Sequence, residues 1–420
     1  MERIEGIVQR YAWGDRRAIA EIQGRAPSGE PEAELWLGAH PVAPSIIADG
    51  SGLTLADLSA ARPTQLMGPI VEERFGAFPY LLKILAAAEP LSIQAHPSLD
   101  QGRSGFEREE AAGIAWDDPS RTYRDRNHKP ELICALTDFE AKCGFRPVGA
   151  TSSLIDALCQ TTEVSASDRG PASPVGLGDL AKRLRAGGDE PAVLAGVLAW
   201  LLHLPSVEVG PFVAETVRAA SHLLASRPDV TEADFGPELR WTVELDRAFP
   251  GDIGVVVALL LNHVSLAPGQ AMFLEAGNLH SYLRGTGVEL MANSDNVVRG
   301  GLTIKHIDVD ELLSIVNTEP GPAPVQTPVS NVHHYESAVS EFALTRVVGG
   351  ADPQRFEPVG PEILLVTDGA AAVNLGEEGR TLQLGVGQAA IVEASDGPYR
   401  LDVAAAATVW RATVGDLAGA

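Results

Sequence analysis

Residues 268–283, PGQAMFLEAGNLHSYL, decide the fold of this chain. A Pro-Gly turn leads into the short apolar run 271–274, a second turn follows at 275–278, and residues 279–283 are predicted to form the returning strand. Short strands joined by glycine-containing turns are typical of a double-sheet jelly roll. The turn PGQA has a counterpart in VGQA at residues 386–389. We therefore predict two rolls of this kind, one before residue 318 and one near the end of the chain.

The composition and periodicity of the sequence change several times on either side of this stretch. Apolar residues at helical spacing, separated by Gly and Pro, fill a block in the middle of the chain, and four prolines between Pro320 and Pro328 mark a linker. We predict a mainly β fold with an α-helical insertion. Its parts are a cupin-type β-roll domain at 1–150 and 251–318, an inserted helical domain at 151–250, a Pro-rich linker at 319–334, and a small C-terminal cupin-like β domain at 335–420.

The composition of the chain is that of an ordinary soluble globular protein, with 45% apolar and 21% charged residues. The N-terminal residues lack the apolar core of a secretory signal, and the longest apolar run, 192–202, is shorter than the roughly 20 residues that a membrane helix needs. Cys134, Cys143 and Cys159 form no CxxC pair, which favours buried, reduced thiols. We predict a cytoplasmic monomer that binds no membrane.

The net charge of −24 argues against nucleic acid as a partner, because a strongly negative protein repels the phosphate backbone. It also constrains any anionic substrate, which would need a local cluster of lysines and arginines. Such cations should therefore lie beside any site that binds a phosphate.

A candidate metal site begins in LSIQAHP at residues 91–97. On a strand, Gln94 and His96 would share one face, and Pro97 would end the strand. A carboxylate, Glu131, and a second imidazole, His280, would complete an oxygen and nitrogen ligand set that zinc accepts in catalytic sites. Taken singly, each residue has a simpler interpretation, as a polar strand edge, a solvated loop or a satisfied core histidine. The combination favours the metal.

Several charged residues are candidates for the surroundings of this metal. Arg299 stands before paired glycines that let a backbone approach a ligand, and arginine suits oxyanions and phosphates. Lys83 lies within an apolar strand, where a snorkelling edge lysine is an equal alternative. Lys129 is a further cation. Glu289 is a candidate general acid or base, with an ion pair to Arg299 as the alternative.

Two other motifs do not indicate a site. Residues 385–390, GVGQAA, match a dinucleotide-binding pattern but lead into a predicted strand and not a helix. His333 and His334 follow the Pro-rich linker, and we predict that they lie in a polar loop.

The chain resembles the type I phosphomannose isomerases of the cupin superfamily. The matching segments occur in order and run to about residue 316. They are YAWGD (11–15), AELWLGAHP (33–41), PYLLKILAAAEPLSIQAHP (79–97), RNHKPEL (126–132), PGDIG (250–254) and GNLHSYLRGTGVELMANSDNVVRGGLT (277–303).

The resemblance implies one zinc ion bound by Gln94, His96, Glu131 and His280, and reversible conversion of mannose 6-phosphate to fructose 6-phosphate through an enediol. It also implies a catalytic role for Arg299 and places Lys129 and Lys305 in the pocket. Our predicted catalytic residues are Arg299, Glu289, Lys129 and Lys305. Our predicted substrate-binding residues are Trp13, Lys83, Ser92, Tyr282 and Asp295.

The general base stays open at this point, with Glu289, Lys129 and Lys305 as candidates. Two other functions remain as alternatives. One is a cupin metalloenzyme of another class, which would more often use a two-His-one-carboxylate iron site. The other is a non-catalytic sugar-binding protein.

Overall fold

The fold combines β-sheets with a block of helices, as seen in a computed structural model that describes residues 1–164, 175–226, 235–350, 352–376 and 379–417. Three sheets are found in this part of the chain, with eleven, seven and four strands. The predicted fold class, mainly β with a helical insertion, is confirmed. The domain boundaries stay a prediction.

The eleven-stranded sheet has one long central path of antiparallel neighbours. In spatial order this path is β13 (Val325–Gln326), β10 (Ala271–Leu274), β7 (Glu131–Ala135), β11 (His280–Ala292), β5 (Tyr80–Ala87), β3 (Glu34–Gly38) and β2 (Ile7–Gln9). The remaining strands branch from β11 and are β6 (Ile93–Ala95), β8 (Phe139–Phe145), β9 (Leu261–Leu266) and β12 (Val298–Gly301).

Strand β11 connects the two branches of this sheet. Its first residue, His280, pairs with β6 and β8, whereas residues 285–292 pair with β5 and residues 287–291 also pair with β7. The register shifts between Tyr282 and Arg284, where the strand passes from one branch to the other. As a result, β11 carries polar side chains of both branches toward one place.

Helices cover the β6–β8–β9 branch. The helices of the central block are α6 (Val148–Val164), α7 (Leu177–Leu184), α8 (Glu190–Leu202), α9 (Ser206–Ser226) and α10 (Gly236–Ala248). Their buried leucines share one hydrophobic cluster with Ile93, Ala95 and Leu279, next to the predicted metal ligands. The other helices are α1 (Ala18–Ile22), α2 (Leu55–Ala61), α3 (Pro63–Met67), α4 (Pro69–Phe75), α5 (Leu99–Ala111), α11 (Gly254–Val257) and α12 (Val309–Ile315).

The C-terminal unit is built from the seven-stranded and four-stranded sheets. The larger has the order β14 (Val332–Tyr335), β15 (Ala343–Val348), β22 (Thr408–Thr413), β17 (Glu362–Asp368), β20 (Ala389–Val392), β1 (Glu2–Glu5) and β4 (Ile46–Ile47). The smaller has the order β16 (Gln354–Phe356), β21 (Tyr399–Val403), β18 (Ala370–Leu375) and β19 (Thr381–Gly385). Strand β1 pairs with β20, so the N-terminus completes the C-terminal sheet.

Two smaller expectations have different outcomes. The polar loop predicted at His333 and His334 is wrong, because both residues pair with β15 as part of β14. The three cysteines are free thiols, with Cys134 and Cys143 buried and Cys159 partly buried. Among the described residues, no single helix is long and apolar enough to cross a membrane, and α8 and α9 meet that test only together, with a 114° bend between them.

Candidate metal centre

Three of the predicted metal ligands meet where strands β6, β7 and β11 come together. His96 follows β6, Glu131 is the first residue of β7, and His280 is the first residue of β11. Their ligand atoms all lie within 4.8 Å of one another, and each residue is at most 2% exposed. Nε2 of His96 is 3.3 Å from Glu131 Oε1, and Nε2 of His280 is 3.4 Å from Glu131 Oε2.

Main-chain carbonyls orient both imidazoles toward this centre. Nδ1 of His96 is 2.7 Å from the carbonyl oxygen of Asn296, and Nδ1 of His280 is 3.0 Å from that of Asn278. A carbonyl only accepts hydrogen bonds, so each Nδ1–H is the donor, and in the neutral form of the ring the lone pair is on Nε2. Burial and the nearby Lys129 ammonium lower the pKa of His96 to about 4, which keeps this imidazole neutral at pH 7.

The residues present fit a zinc ion. Nε2 of His96 and Oε2 of Glu131 are buried and have no hydrogen-bond partner within the described part of the chain, which is costly unless another group binds them. The side-chain amide of Gln94 has Nε2 3.4 Å from His280 Nε2, and a half-turn of the amide would bring Oε1 to the same place. Two imidazole nitrogens with carboxylate and amide oxygens form a donor set that zinc accepts.

A row of buried charged residues extends across the sheet, away from the proposed metal site. Glu289 on β11 lies opposite Lys83 on β5, and Lys83 Nζ is 3.1 Å from Glu289 Oε2 and 3.4 Å from Glu34 Oε1 on β3. The indole of Trp36 donates to the other oxygen of Glu34. Glu289 therefore forms its ion pair with Lys83. The alternative ion pair with Arg299 is not found among the described residues.

The charged groups in this row shift one another's pKa values. Burial raises the pKa of Glu289, in spite of the neighbouring ammonium of Lys83. Burial alone would lower the pKa of Lys83, but Glu34 and Glu289 outweigh it and raise that pKa. For Glu131, burial acts upward, yet Lys129, whose Nζ is 2.9 Å away, and His96 hold the pKa well below its usual range. Of Glu131 and Glu289, Glu289 is therefore the carboxylate whose pKa is raised.

Only some of the predicted cations are free to bind an anionic ligand. Lys83 and Lys129 are already paired with carboxylates. Arg124, Arg299 and Lys305 have no ion pair among the described residues, and the pKa values of Arg299 and Lys305 are lowered by burial and by their mutual repulsion with Arg124. Arg299 pairs with Gln94 across β6 and β12, so this cation cluster adjoins the metal ligands.

The predicted substrate-binding residues are spread around the centre at different distances. Tyr282 is buried, with its ring centroid 5.8 Å from that of His280, and Ser92 is half-buried just before β6. Asp295 lies 3.5 Å from Nε2 of His40. Trp13 stacks on Tyr11 with ring centroids 5.7 Å apart, and its ring makes no ring contact with His96 or His280 among the described residues.

Sequence reasoning missed several residues of this region. Tyr11 lies near enough to Lys83 and Asp295 for their charges to affect its pKa, which burial raises. The side chain of Asn296 is fully buried and bonds to the backbone of residues 124, 125 and 127, which fixes the segment before Lys129. Each of these residues lies in or beside one of the segments that match the isomerase family. The residue type alone does not predict these contacts.

A large groove of about 860 Å³ lies elsewhere, between β10, the linker and the C-terminal unit. Its lining includes Glu275, Glu319, Glu336 and Asp416, and no lysine or arginine. An anionic substrate would be repelled there. The cations described above, by contrast, adjoin the buried group of His96, Glu131 and His280.

Comparison with known proteins adds independent findings. Residues 1–148 match the family model of the phosphomannose isomerase type I catalytic domain. The chain is 36% identical to mannose-6-phosphate isomerase of Escherichia coli, over 95% of this chain and 96% of that protein. It is 32% identical to mannose-6-phosphate isomerase of Ogataea parapolymorpha, over 92% of this chain and 91% of that protein.

A solved structure gives the same result in three dimensions. Mannose 6-phosphate isomerase from Salmonella typhimurium, in a crystal structure bound to its substrate fructose 6-phosphate and zinc, superimposes with a TM-score of 0.84 at 33% identity. The match covers 99% of this chain and 100% of that one.

Proposed function

The chain belongs to the type I phosphomannose isomerase family, and we propose that it interconverts mannose 6-phosphate and fructose 6-phosphate as a zinc-dependent aldose–ketose isomerase. The observation that carries this proposal is the buried group of His96, Glu131 and His280, whose ligand atoms lie within 4.8 Å of one another. Two imidazoles locked with Nε2 inward are built to hold a metal and not to pack a core.

We propose that zinc is held by these three residues together with Gln94. When bound, zinc supplies Lewis-acid polarisation of the sugar carbonyl. A neutral imidazole and an ionised carboxylate are the protonation states that a divalent ion needs. Burial and Lys129 keep His96 neutral, and Lys129 and His96 outweigh the effect of burial on Glu131 and lower its pKa.

The phosphate of the substrate is assigned to the cation cluster. Arg124, Arg299 and Lys305 lack carboxylate partners in the described structure and repel one another, so a dianion between them would relieve that repulsion. Arg299 is the member paired with Gln94 across the strands. We assign to it a second role, stabilising the negative charge of the enediolate.

Proton transfer between C2 and C1 of the open-chain sugar requires a base near the metal. Lys83 is unsuited, because its pKa is raised by two carboxylates and it keeps its proton. Glu289 has the opposite tendency, since burial raises its pKa toward the range of an efficient general base. We propose Glu289 as the base, with Lys83 stabilising its ionised form and Lys129 beside the metal ligand Glu131.

The decisive experiment is a coupled assay of mannose 6-phosphate turnover on purified protein, before and after chelation and zinc return. We expect turnover to be lost with the chelator and restored by zinc. Turnover that survives verified metal removal would overturn the zinc mechanism. A folded, zinc-loaded protein without turnover would favour a sugar-binding protein, and activity restored by iron with dioxygen would favour a metalloenzyme of another class.

Two further expectations are part of this proposal. We propose that the chain acts as a monomer, which light scattering on the purified protein would check. We also propose a cytoplasmic location, which fractionation of the source cells would check.

A further inference from the structure

The segment before the metal ligand Glu131 is held from the far end of the chain. His128 lies in this segment, and its Nε2 is 2.7 Å from Oε1 of Glu341 in the C-terminal unit. Both side chains are largely buried, at 19% and 16% exposed. Burial acts to raise the pKa of Glu341, but the hydrogen bond and the charge of His128 hold it below its usual range. The contact is therefore a charge-assisted hydrogen bond with little competition from water.

Glu341 is presented by a loop that is itself anchored. The hydroxyl of Ser337 donates to the carbonyl of Phe342, and the amide of Gly415 donates to the carbonyl of Ser340. Phe342 is fully buried and contacts Phe273 of strand β10 edge to face. The loop that carries the Glu341 carboxylate is therefore packed against the central sheet.

The segment that receives this contact carries a proposed active-site lysine. Lys129 follows His128 directly, and its Nζ is 2.9 Å from Glu131 Oε1. Residues 124–127 are fixed by Asn296, and the carbonyl of Pro130 accepts from the amide of Ala292. Between these two attachments, His128 is the residue that Glu341 fixes.

We propose that Glu341 is a positioning residue of the isomerase site, through which the C-terminal unit fixes His128 and the adjacent Lys129 over the metal centre. The proposal rests on the proposed function for its kinetic consequence, but its structural part stands independently. It assigns to the C-terminal unit a direct part in the active site, in addition to its part in the fold.

The test compares Glu341→Ala and Glu341→Gln with Glu336→Gln, a control in the same loop whose carboxylate is exposed and makes no hydrogen bond to His128. We expect Glu341→Ala to lower kcat about 10-fold with a smaller change in KM, because one charge-assisted hydrogen bond is lost. Glu341→Gln, which keeps an acceptor oxygen, should recover part of that loss. Zinc content and thermal midpoint should match those of the control.

Two more measurements separate positioning from general damage. If Glu341 acts through His128, the double variant Glu341→Ala with His128→Ala should be no slower than His128→Ala alone, and additive losses would overturn the proposal. Hydrogen exchange of the peptide covering 124–131 should rise in Glu341→Ala and stay unchanged in the control.

The exchange measurement does not depend on turnover. Wild-type protein without isomerase activity would refute the proposed function, yet the exchange result would still decide whether Glu341 holds this segment. Unchanged exchange in Glu341→Ala would overturn the positioning role even if the wild type is active.

Discussion

At the scale of single residues, the site is organised as a row of charges on neighbouring strands. Glu131, Glu289, Lys83 and Glu34 lie on β7, β11, β5 and β3, which are adjacent in that order. Buried charges persist only when they are paired, and here the lysine lies between two carboxylates. The row therefore contains one carboxylate next to the strand of Glu131, Glu289, and another two strands farther away, Glu34.

This order of strands provides a matched pair of substitutions. We predict that Glu289→Gln lowers kcat by about 100-fold or more, because general acid–base catalysis contributes about 10²–10⁴-fold. Glu34→Gln removes the same charge and the same kind of contact to Lys83, but one strand beyond it, so its loss should stay below about 10-fold. Steady-state kinetics on both zinc-loaded variants checks the prediction. Equal losses would remove Glu289 from the role of base.

Residue types and spacing predicted the proposed metal ligands but not the contacts that orient them. Gln94, His96, Glu131 and His280 lie in ordered motifs, and the structure brings their side chains together. Glu341 carries no signal in the sequence, since its partner His128 is 213 residues away. The same holds for the carbonyl of Asn296, because a main-chain acceptor has no residue type to recognise.

At the scale of secondary structure, a polar layer lies between β8 and the covering helix α10. Arg146 bonds to Glu238, and the indole of Trp241 donates to Glu140. In the middle of this layer, Lys142 is 1% exposed and its Nζ has no hydrogen-bond partner within the described residues. Burial and the charge of Arg146 lower the pKa of Lys142 to about 7.

This lysine should make the stability of the fold depend on pH. The folded protein releases the Lys142 proton near pH 7, whereas an unfolded lysine keeps its proton up to about pH 10.4. Between these values the unfolded state binds more protons, so the unfolding free energy rises with pH. The neighbouring His263 has a lowered pKa, so it adds to the rise mainly up to about pH 6.5, where an unfolded histidine loses its proton.

We predict that Lys142→Met removes the part of the rise that Lys142 causes and stabilises the protein at pH 6 by about 1–4 kcal/mol, as is common when a buried charge is replaced by an apolar side chain. Urea unfolding of both proteins at pH 6, 7 and 8 measures the effect as the difference between their pH profiles, below the range in which unfolded cysteines lose protons that the buried Cys134 and Cys143 keep. Lys182→Met is a control, because Lys182 is an exposed helix lysine. Parallel profiles of the wild type and Lys142→Met would refute the prediction.

Periodicity predicted most elements of the helical block but not α10. Helices α6 to α9 carry apolar residues at helical spacing, which is the pattern that predicts the helical block. In α10, by contrast, Leu239, Trp241, Val243 and Leu245 alternate with polar residues, which is the period of a strand. The structure buries Leu239, Trp241, Thr242 and Leu245 on one helical face, so the tertiary packing decided what the local pattern left ambiguous.

At the scale of the whole molecule, the first and last parts of the chain share one core. A single buried cluster contains Leu35, Leu82 and Leu132 of the central sheet together with Ile363 and Trp410 of the C-terminal unit. The hydroxyl of Tyr80 donates to the carbonyls of Pro361 and Ala412. The sequence signalled a linker between two units, and it gave no sign that strand β1 crosses over, because only Ile4 of that strand is a buried apolar residue.

The shared core predicts that the two parts stay together when the connection between them is cut. Val329 in the linker is 88% exposed, so a protease site placed at residues 329–331 should be cleaved without unfolding. Since β1 is hydrogen-bonded to β20 and the apolar cluster is continuous, we expect both fragments to elute as one species and to keep wild-type turnover. Cleavage followed by urea should separate them. Fragments that separate under native conditions would show that the units are independent, and would also remove the support on which Glu341 reaches His128.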